Sequence, residues 1–344
     1  MAARWRQIFQ VAATYIGTVV GAGFASGQEI LNFFTKHGSI GALAILISTV
    51  LFIWLGRKIM AISHQQGCYS YQELNQHLFG KKLSWLVNGV TLVILFGTTG
   101  VMLSGTGSIF EEQFHMPYQA GILVTIALCL ITMYRGMSGV MWVNSLVVPM
   151  MIVFTTILAV HLFGSAPFEG ITLPSGNIQW LISPILYAGF NLAMAQAVLV
   201  PLGTDTKDPS ILHWGGFFGG LGLGLMLLIS HLSLQMNYQA IQGLDIPMAQ
   251  IIANFGKPVA LLFTLVVFGE IFTTIIGNVF GLIRQVYSTF KISQPLAAFL
   301  VMLGSFIVSQ WGFRHLVDFL YPVFGAMGLL FMLRLMFYRR KIKA

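Results

Sequence analysis

Four glycines in the first apolar stretch of the chain could expose backbone groups to a ligand. Gly17, Gly21, Gly23 and Gly27 lie in the string GTVVGAGFASGQE, where a lipid-facing helix would carry Leu or Ile. Each glycine disfavours helix by about 1 kcal/mol relative to Ala, so we expect the helix to break here. Unpaired N–H and C=O groups are tolerated at membrane depth only where they are buried in protein or line a polar cavity. The pattern therefore predicts a site formed by backbone atoms.

The carboxylate of Glu270 is a second group that could do chemistry, because it lies inside a long apolar run. Placing Asp at the centre of a membrane helix costs about 2.5–3.5 kcal/mol, and Glu should cost a similar amount. We expect such a residue to face a cation, a partner or a proton path. Arg284 lies about 21 Å further along the same helix, at a rise of about 1.5 Å per residue, and is too distant to pair with it. Glu270 could therefore bind Na⁺ or carry a proton.

The composition indicates which elements must position these groups. Of the 344 residues, 56% are hydrophobic and 8% are charged, whereas an ordinary soluble domain has about 25% charged residues. This balance predicts an all-α membrane protein in which one transmembrane domain, residues 1–344, fills the chain. Ten apolar segments are long enough to span a bilayer, at about 7–35, 40–63, 83–110, 118–134, 139–163, 177–203, 210–235, 257–288, 293–311 and 315–338.

The distribution of Lys and Arg predicts the orientation. With the N-terminus in the cytoplasm, only Lys36, Lys257 and Arg314 of the 18 Lys and Arg residues fall outside. One miscounted span would assign every later loop to the opposite side of the membrane and spoil this separation. The split therefore favours ten spans with both termini cytoplasmic. We expect a multi-pass protein of the cytoplasmic membrane whose partner is the lipid bilayer. The basic residues are dispersed over loops and form no single face, which argues against a nucleic-acid partner.

An internal repeat organises the predicted helices. The stretches 69–97 and 246–270 each read as a short amphipathic helix that ends in Phe-Gly-Lys and is followed by a long apolar span. Aligning Gly80 with Gly256 places spans 1–5 over spans 6–10. Because five is odd, the two halves must have opposite orientations, which is the inverted repeat common in secondary transporters. The predicted repeats are residues 1–165 and 175–339.

The repeat predicts that the sixth span breaks as the first does. Its sequence has Pro184 near the start and Ala188, Gly189 and Asn191 near the middle. A buried amide at this depth needs hydrogen-bond partners, although Pro and Gly can also produce a mere kink. The glycines of span 7 recur at the four-residue spacing of close helix packing and are expected to be structural; they are Gly215, Gly216, Gly219, Gly220 and Gly224.

The glycine string of the first span resembles a known transporter motif. GTVVGAG is similar to the unwound first helix of the leucine-transporter fold, in the amino acid, polyamine and organocation transporter superfamily. The longer string through GQE resembles the YkvI-type family of predicted amino-acid permeases. The resemblance implies a five-plus-five inverted repeat with helices 1 and 6 broken mid-membrane and half-helix N-termini facing a substrate carboxylate. It implies secondary active transport of an amino acid or a similar small zwitterion or amine, coupled to Na⁺ or H⁺.

The same resemblance implies which residues form the sites. One cation site would use the carbonyls of Gly17 and Val20 with the hydroxyls of Thr273 and Thr274, although paired threonines can also bond only to their own helix. Glu270 lies on the same helical face, where such transporters usually carry a small residue. A second sodium site of some relatives needs an Asn where this chain has a Phe, so we do not expect it. The substrate is expected between spans 1, 3, 6 and 8. The candidate lining residues are Gly21, Ala22, Gly23, Phe24, Ala25, Ser26, Thr98, Thr99, Tyr187, Ala188, Gly189 and Asn191.

Glu29 is a candidate gating residue. It stands near the start of the outer half of the first helix, where a carboxylate suits the positive end of the helix dipole. It could close the outer side by pairing with Arg314 at the outer end of span 10. The alternative is a solvated carboxylate that contributes little.

The sequence contains no motif for catalysis or for an organic cofactor. HExxH, a P-loop and a Cys/His cluster are absent, and the GAG string lacks the strand–turn–helix setting of a dinucleotide fold. We therefore expect a protein that is not an enzyme and needs only its coupling ion. An alternative function is a receptor that binds the same ligand without moving it, because the B subunits of spore germinant receptors resemble this fold. An ion channel would need a repeated filter motif, which is lacking.

Overall fold

In the computed structural model of the chain, residues 2–165, 178–241, 247–253 and 255–338 are described, and their regular secondary structure is entirely helical. The helices are α1 (Ala2–Val19), α2 (Ala22–Ser26), α3 (Gln28–Phe33), α4 (Gly41–Leu51), α5 (Arg57–Gln66), α6 (Tyr71–Phe114), α7 (Tyr118–Met133), α8 (Met137–Ser165), α9 (Gln179–Asp205), α10 (Pro209–Met236), α11 (Tyr238–Ile241), α12 (Pro247–Ala253), α13 (Lys257–Phe290), α14 (Gln294–Ser309) and α15 (Phe313–Phe337). A 3-10 turn at Thr35–Ile40 precedes α4, and a π-helical turn at Phe52–Gly56 joins α4 to α5.

Several of the described helical segments are suited to a membrane. Six are long and apolar enough to cross one: Thr35–Gln66, Tyr71–Glu111, Met137–Leu158, Gln179–Asp205, Pro209–Met236 and Lys257–Tyr287. The described helices lie at the positions of the predicted spans, with α1 to α3 corresponding to the first span and α4 to α5 to the second. An all-α membrane fold is thus confirmed, while the total of ten crossings stays a prediction.

The first span is broken, as its glycines predict. Helix α1 ends at Val19 and α2 begins at Ala22, because Gly21 is extended with φ −142° and ψ −166°. A second interruption follows at Gly27, whose left-handed φ of 85° favours a residue without a Cβ. The segment between the two interruptions is only five residues long. The prediction of a broken first helix is confirmed.

The predicted break in the sixth span is wrong. Helix α9 continues from Gln179 to Asp205 without a non-helical residue. Its central glycine, Gly189, instead lies at a close contact with α15 that depends on Gly328, since a Cβ added at Gly328 would lie 2.5 Å from the Gly189 carbonyl oxygen. The Asn191 amide donates to the Tyr187 carbonyl at 2.9 Å on the same helix. Span 6 therefore offers no half-helix N-terminus to a substrate carboxylate.

The glycines of α10 serve close packing, as their spacing predicts. A Cβ added at Gly219 would lie 2.7 Å from a ring carbon of Tyr15, and one at Gly220 would lie 2.8 Å from the Ile53 backbone nitrogen. These approaches bring α10 against α1 and against the π-helical turn between α4 and α5. Tyr15 also donates to the Phe52 carbonyl at 2.8 Å, which satisfies a backbone acceptor in that turn.

The two Phe-Gly-Lys motifs share one backbone conformation. Gly80 has φ 74° and ψ 168° and kinks α6 after its amphipathic first turns. Gly256 has φ 93° and ψ 164° and precedes α13. Both angles fall in a region that is open essentially to glycine alone. This agreement supports the alignment of the two positions, while the assignment of residues 1–165 and 175–339 as inverted repeats stays a prediction.

Candidate functional site

The broken first span meets α13 at a buried threonine. The Thr274 hydroxyl oxygen lies 2.9 Å from the Val20 carbonyl oxygen and 3.1 Å from the Glu270 carbonyl oxygen, so its hydrogen can bond to either. A Cβ added at Gly21 would lie 2.9 Å from the same hydroxyl. All of these residues are buried. Gly21 thus lets the first span approach α13 closely enough for the Val20 carbonyl to accept a hydrogen bond from Thr274.

The other two predicted cation residues are placed differently. The Thr273 hydroxyl donates to the Glu270 carbonyl of its own helix at 2.9 Å. This is the alternative to a cation site that paired threonines allow. Gly17 lies against α8, where an added Cβ would collide with the side-chain oxygen of Asn144. Of the four predicted residues, the structure brings Val20 and Thr274 into direct contact. Their role in holding a cation stays a prediction.

Asn144 is a polar residue of this region that sequence reasoning missed. It is fully buried, and its amide nitrogen donates to the Val140 carbonyl at 2.9 Å. Its oxygen has no hydrogen-bond partner among the described residues and faces Gly17. A buried acceptor without a donor is costly, so a cation or a water at this position would stabilise it. The available signal was a lone Asn in the apolar string MWVNSLVV.

Glu270 is fully buried and unpaired within the described part of the chain. Neither of its carboxylate oxygens has a hydrogen-bond partner there. Arg284 is engaged elsewhere, since it donates to the Tyr69 carbonyl at 3.0 Å and lies 3.9 Å from the Asp205 carboxylate. The prediction that Arg284 does not neutralise Glu270 is confirmed. An ionised carboxylate in such surroundings is expensive, so this side chain needs a bound proton or a cation.

Glu29 lies over the break and is shielded from solvent. The side chain is buried, and a Cβ added at Gly23 would collide with its carboxylate. The alternative of a solvated carboxylate at the helix start is therefore wrong. The side chain of Arg314, its predicted gating partner, lies outside the described residues. Ser26 is the last residue of α2, and its hydroxyl donates to the Gly23 carbonyl at 3.2 Å.

The remaining candidates of spans 1 and 3 are buried to different degrees. Phe24 is buried and Ala25 is partly exposed, while the side chain of Ala22 lies outside the described residues. Thr99 donates to the Leu95 carbonyl of its own helix at 2.6 Å. Thr98 is linked to α13, because its hydroxyl accepts a bond of 3.3 Å from the Asn278 amide.

Asn278 extends a polar stripe on α13 that sequence reasoning saw only in part. Glu270, Thr274 and Asn278 are spaced by four residues and therefore share one helical face. All three are buried. The stripe connects the break in the first span to Thr98 of α6, so it joins two of the predicted walls of the site.

The candidates of span 6 lie beside the part of the first span that follows its break. The Tyr187 ring is buried, with its centroid 5.2 Å from that of Phe33 and 5.0 Å from that of Phe34. Ala188 and Asn191 are buried as well. Gly189 faces α15, as described above, and does not expose its backbone to a ligand. The structure thus places Tyr187 near the end of α3, while nothing tests its role in binding.

Comparison with known proteins places the chain in a family. No protein-family model matches the chain. The membrane protein YkvI of Bacillus subtilis (strain 168) is 41% identical over 324 residues, which cover 94% of this chain and 93% of that protein. A Na⁺-coupled sialic acid symporter in a substrate-bound outward-open state matches 96% of this chain and 79% of its own, with a TM-score of 0.70 at 12% identity. MhsT in complex with L-phenylalanine matches 95% of this chain and 88% of its own, with a TM-score of 0.67 at 18% identity. The chain therefore has the leucine-transporter fold and belongs to the family of the membrane protein YkvI.

Proposed function

We propose that the protein is a secondary transporter that moves an amino acid or a similar small zwitterion or amine across the cytoplasmic membrane by alternating access, coupled to Na⁺ or H⁺. The observation that carries the proposal is the buried contact between the Val20 carbonyl and the Thr274 hydroxyl at the break in the first span. Broken helices of transporters place substrates and coupling ions at such points.

The geometry of this contact suits a small hard cation. The two oxygens are 2.9 Å apart, so one ion at about 2.4 Å, a typical distance of hard cations from oxygen ligands, can contact both. The hydroxyl would then turn its hydrogen to the Glu270 carbonyl, which lies 3.1 Å away. The carbonyls and the hydroxyl are neutral ligands, which need no proton exchange to bind a cation.

The carboxylate of Glu270 supports cation coupling but fits either ion. If it is ionised, it supplies the negative charge that balances Na⁺ in an apolar setting. If it is protonated, it can carry the coupling proton itself. We favour Na⁺, because a lone proton carrier would not require the adjoining arrangement of Val20 and Thr274.

The substrate class is inferred from the other carboxylate at the break. Glu29 is buried against Gly23, so its charge lies where the first span exposes backbone groups. A carboxylate there favours a ligand with an ammonium group, such as an amine or an amino acid. The solved structures of similar fold include one with L-phenylalanine bound, which agrees with a ligand of this size.

The test uses the purified chain in detergent and in proteoliposomes. Thermal-shift screening against amino acids and amines, with NaCl or KCl, identifies a stabilising compound for transport assays. Uptake under a Na⁺ or a pH gradient and counterflow without a gradient are then measured for wild type and Glu270→Gln. With Na⁺ coupling, the variant loses Na⁺-driven uptake and stabilisation by Na⁺. With H⁺ coupling, it loses uptake driven by the pH gradient but retains counterflow, because the amide mimics the protonated acid and cannot cycle.

Glu111→Gln is the matched control, because Glu111 is an exposed carboxylate outside the site, and it should behave as wild type. A chain that binds the compound but shows neither uptake nor counterflow is a receptor, which contradicts the proposal. Wild-type behaviour of Glu270→Gln in every assay would show that the carboxylate is structural.

A further inference from the structure

A cavity of about 440 Å³ lies between α5 and α10, away from the broken first span. Its lining includes two cationic side chains, Arg57 and Lys58, and two imidazoles, His64 and His213, together with Trp54. None of the lining residues is acidic. The cavity is therefore a concentrated basic site, in a chain of which only 8% of the residues are charged.

The two cationic side chains of this cavity, Arg57 and Lys58, have no anionic partner in the part of the chain that the structure describes. A terminal guanidinium nitrogen of Arg57 lies 2.8 Å from His213 Nε2, and Lys58 donates to the Met336 carbonyl at 3.2 Å. These contacts fix the two side chains without neutralising them. Two cations at one cavity repel each other, so an anion bound between them lowers the electrostatic energy.

An apolar ridge leads to the cavity along the second span. Leu46, Val50 and Trp54 are spaced by four residues and share one face, and they are 56%, 62% and 45% exposed. Helix α10 carries a second exposed Trp, Trp214, next in sequence to the lining residue His213. Tryptophan is enriched where hydrocarbon gives way to headgroups. The cavity therefore lies where an exposed apolar surface ends and basic side chains begin.

We propose that this cavity binds the phosphodiester headgroup of an anionic phospholipid of the inner leaflet, with an acyl chain along the ridge of Leu46, Val50 and Trp54. Arg57 and Lys58 supply charge-assisted hydrogen bonds to the phosphate oxygens. A free phosphate would meet the same cations, but it would leave the apolar ridge without a role. The predicted orientation places both cations at the cytoplasmic end, where anionic lipids are concentrated.

The test is lipid binding to the purified, delipidated full chain, measured by native mass spectrometry. Phosphatidylglycerol and phosphatidylcholine with identical acyl chains are titrated separately. Wild type should retain one phosphatidylglycerol at concentrations where phosphatidylcholine is lost. The variant Arg57→Gln/Lys58→Gln should bind phosphatidylglycerol at least about tenfold more weakly than wild type, because two charges near the headgroup are removed. The matched control Lys81→Gln/Lys82→Gln removes two adjacent exposed cations elsewhere and should bind as wild type.

Three outcomes would overturn the assignment. They are equal retention of both lipids by wild type, unchanged phosphatidylglycerol binding by the Gln variant, and displacement of the lipid by millimolar inorganic phosphate, which would indicate a site for soluble phosphate. The exchange Arg57→Lys/Lys58→Arg keeps both charges and should keep the lipid, and its loss would show that packing matters and charge does not. If the double Gln variant does not fold, Arg57→Gln alone is used, with an intermediate loss expected.

Discussion

Two carboxylates, Glu29 and Glu270, are buried next to the broken first span, and the described part of the chain buries no Lys, Arg or Asp. The carboxylate oxygens of Glu270 have no hydrogen-bond partner among the described residues, so its charge can be balanced by a bound cation or by a proton. At the scale of single residues, these buried carboxylates support the proposal of a positively charged ligand. Two substitutions separate the coupling ion from the substrate.

Removal of the Thr274 hydroxyl tests the coupling ion. Thr274→Val keeps the side-chain shape but leaves the Val20 carbonyl without its partner on α13, so we expect apparent Na⁺ affinity to fall about tenfold or more, as for a bond to a charged group. Stabilisation of purified protein by Na⁺ over K⁺ measures this. Thr125→Val is the control, because Thr125 is equally buried and bonds to the Gly121 carbonyl of its own helix. Equal Na⁺ responses of the two variants would exclude Thr274 as a ligand.

Neutralising Glu29 tests the substrate. Glu29→Gln removes the charge beside Gly23 while keeping the side-chain size. We expect weaker binding of ligands with an ammonium group and little change for analogues that lack the amine, because the lost interaction is ionic. Competition binding with an amino acid and its deaminated analogue measures the difference. Unchanged preference for the amine in Glu29→Gln would place the ammonium group elsewhere.

At the scale of elements, the first and sixth spans use glycine in opposite ways. In the first span, Gly21 and Gly27 interrupt the helix. In α9, Gly189 remains helical, and its carbonyl oxygen is closely approached by Gly328 of α15. The interruptions of the helical backbone therefore lie in the first span, whereas α9 is continuous.

The contact between α9 and α15 predicts an asymmetric response to alanine. A Cβ at Gly328 would lie 2.5 Å from the Gly189 carbonyl oxygen, and backbone cannot shift cheaply, whereas a Cβ at Gly189 has its nearest atoms at 3.4 Å. We therefore expect Gly328→Ala to destabilise the protein by about 1–3 kcal/mol and Gly189→Ala to be tolerated. Thermal unfolding in detergent compares them. Similar midpoints for both variants would show that the helices do not cross at these glycines.

At the scale of the whole molecule, two ion pairs join elements at the end that carries the N-terminus. Arg4 of α1 lies 3.9 Å from Asp208, next to the start of α10. Arg284 of α13 lies 3.9 Å from Asp205 at the end of α9. Exposed pairs of this kind contribute little stability, so the proposed alternating-access cycle could break them at little cost.

The predicted orientation is tested by labelling with a membrane-impermeant maleimide. Cys68 and Cys129 are buried, and both are replaced by Ala to give a background without reactive thiols. In intact cells, Lys257→Cys should be labelled, whereas Lys81→Cys should react only after the cells are permeabilised. Both positions are exposed, so accessibility within the protein does not limit the reaction. Labelling of Lys81→Cys in intact cells would show that the predicted topology is inverted or otherwise wrong.

The sequence by itself determined the membrane class, the helical fold and the break in the first span. These follow from local properties, since hydropathy selects helices that satisfy their own backbone and glycine lacks the Cβ that penalises positive φ. The sequence also aligned Gly80 with Gly256, which the structure shows in equivalent backbone conformations. The resemblance of the glycine string then indicated Val20 and Thr274 together.

Only the tertiary structure decided which residues meet. Whether Gly189 breaks a helix or packs against one depended on Gly328. Gly328 lies on another helix, and nothing in the sequence indicates that it contacts Gly189. The burial of Glu29 against Gly23, the approach of Asn144 to Gly17 and the bond from Asn278 to Thr98 likewise depend on how distant segments fold together. A polar residue in an apolar run shows from sequence that it needs a partner. Packing alone determines which partner it finds.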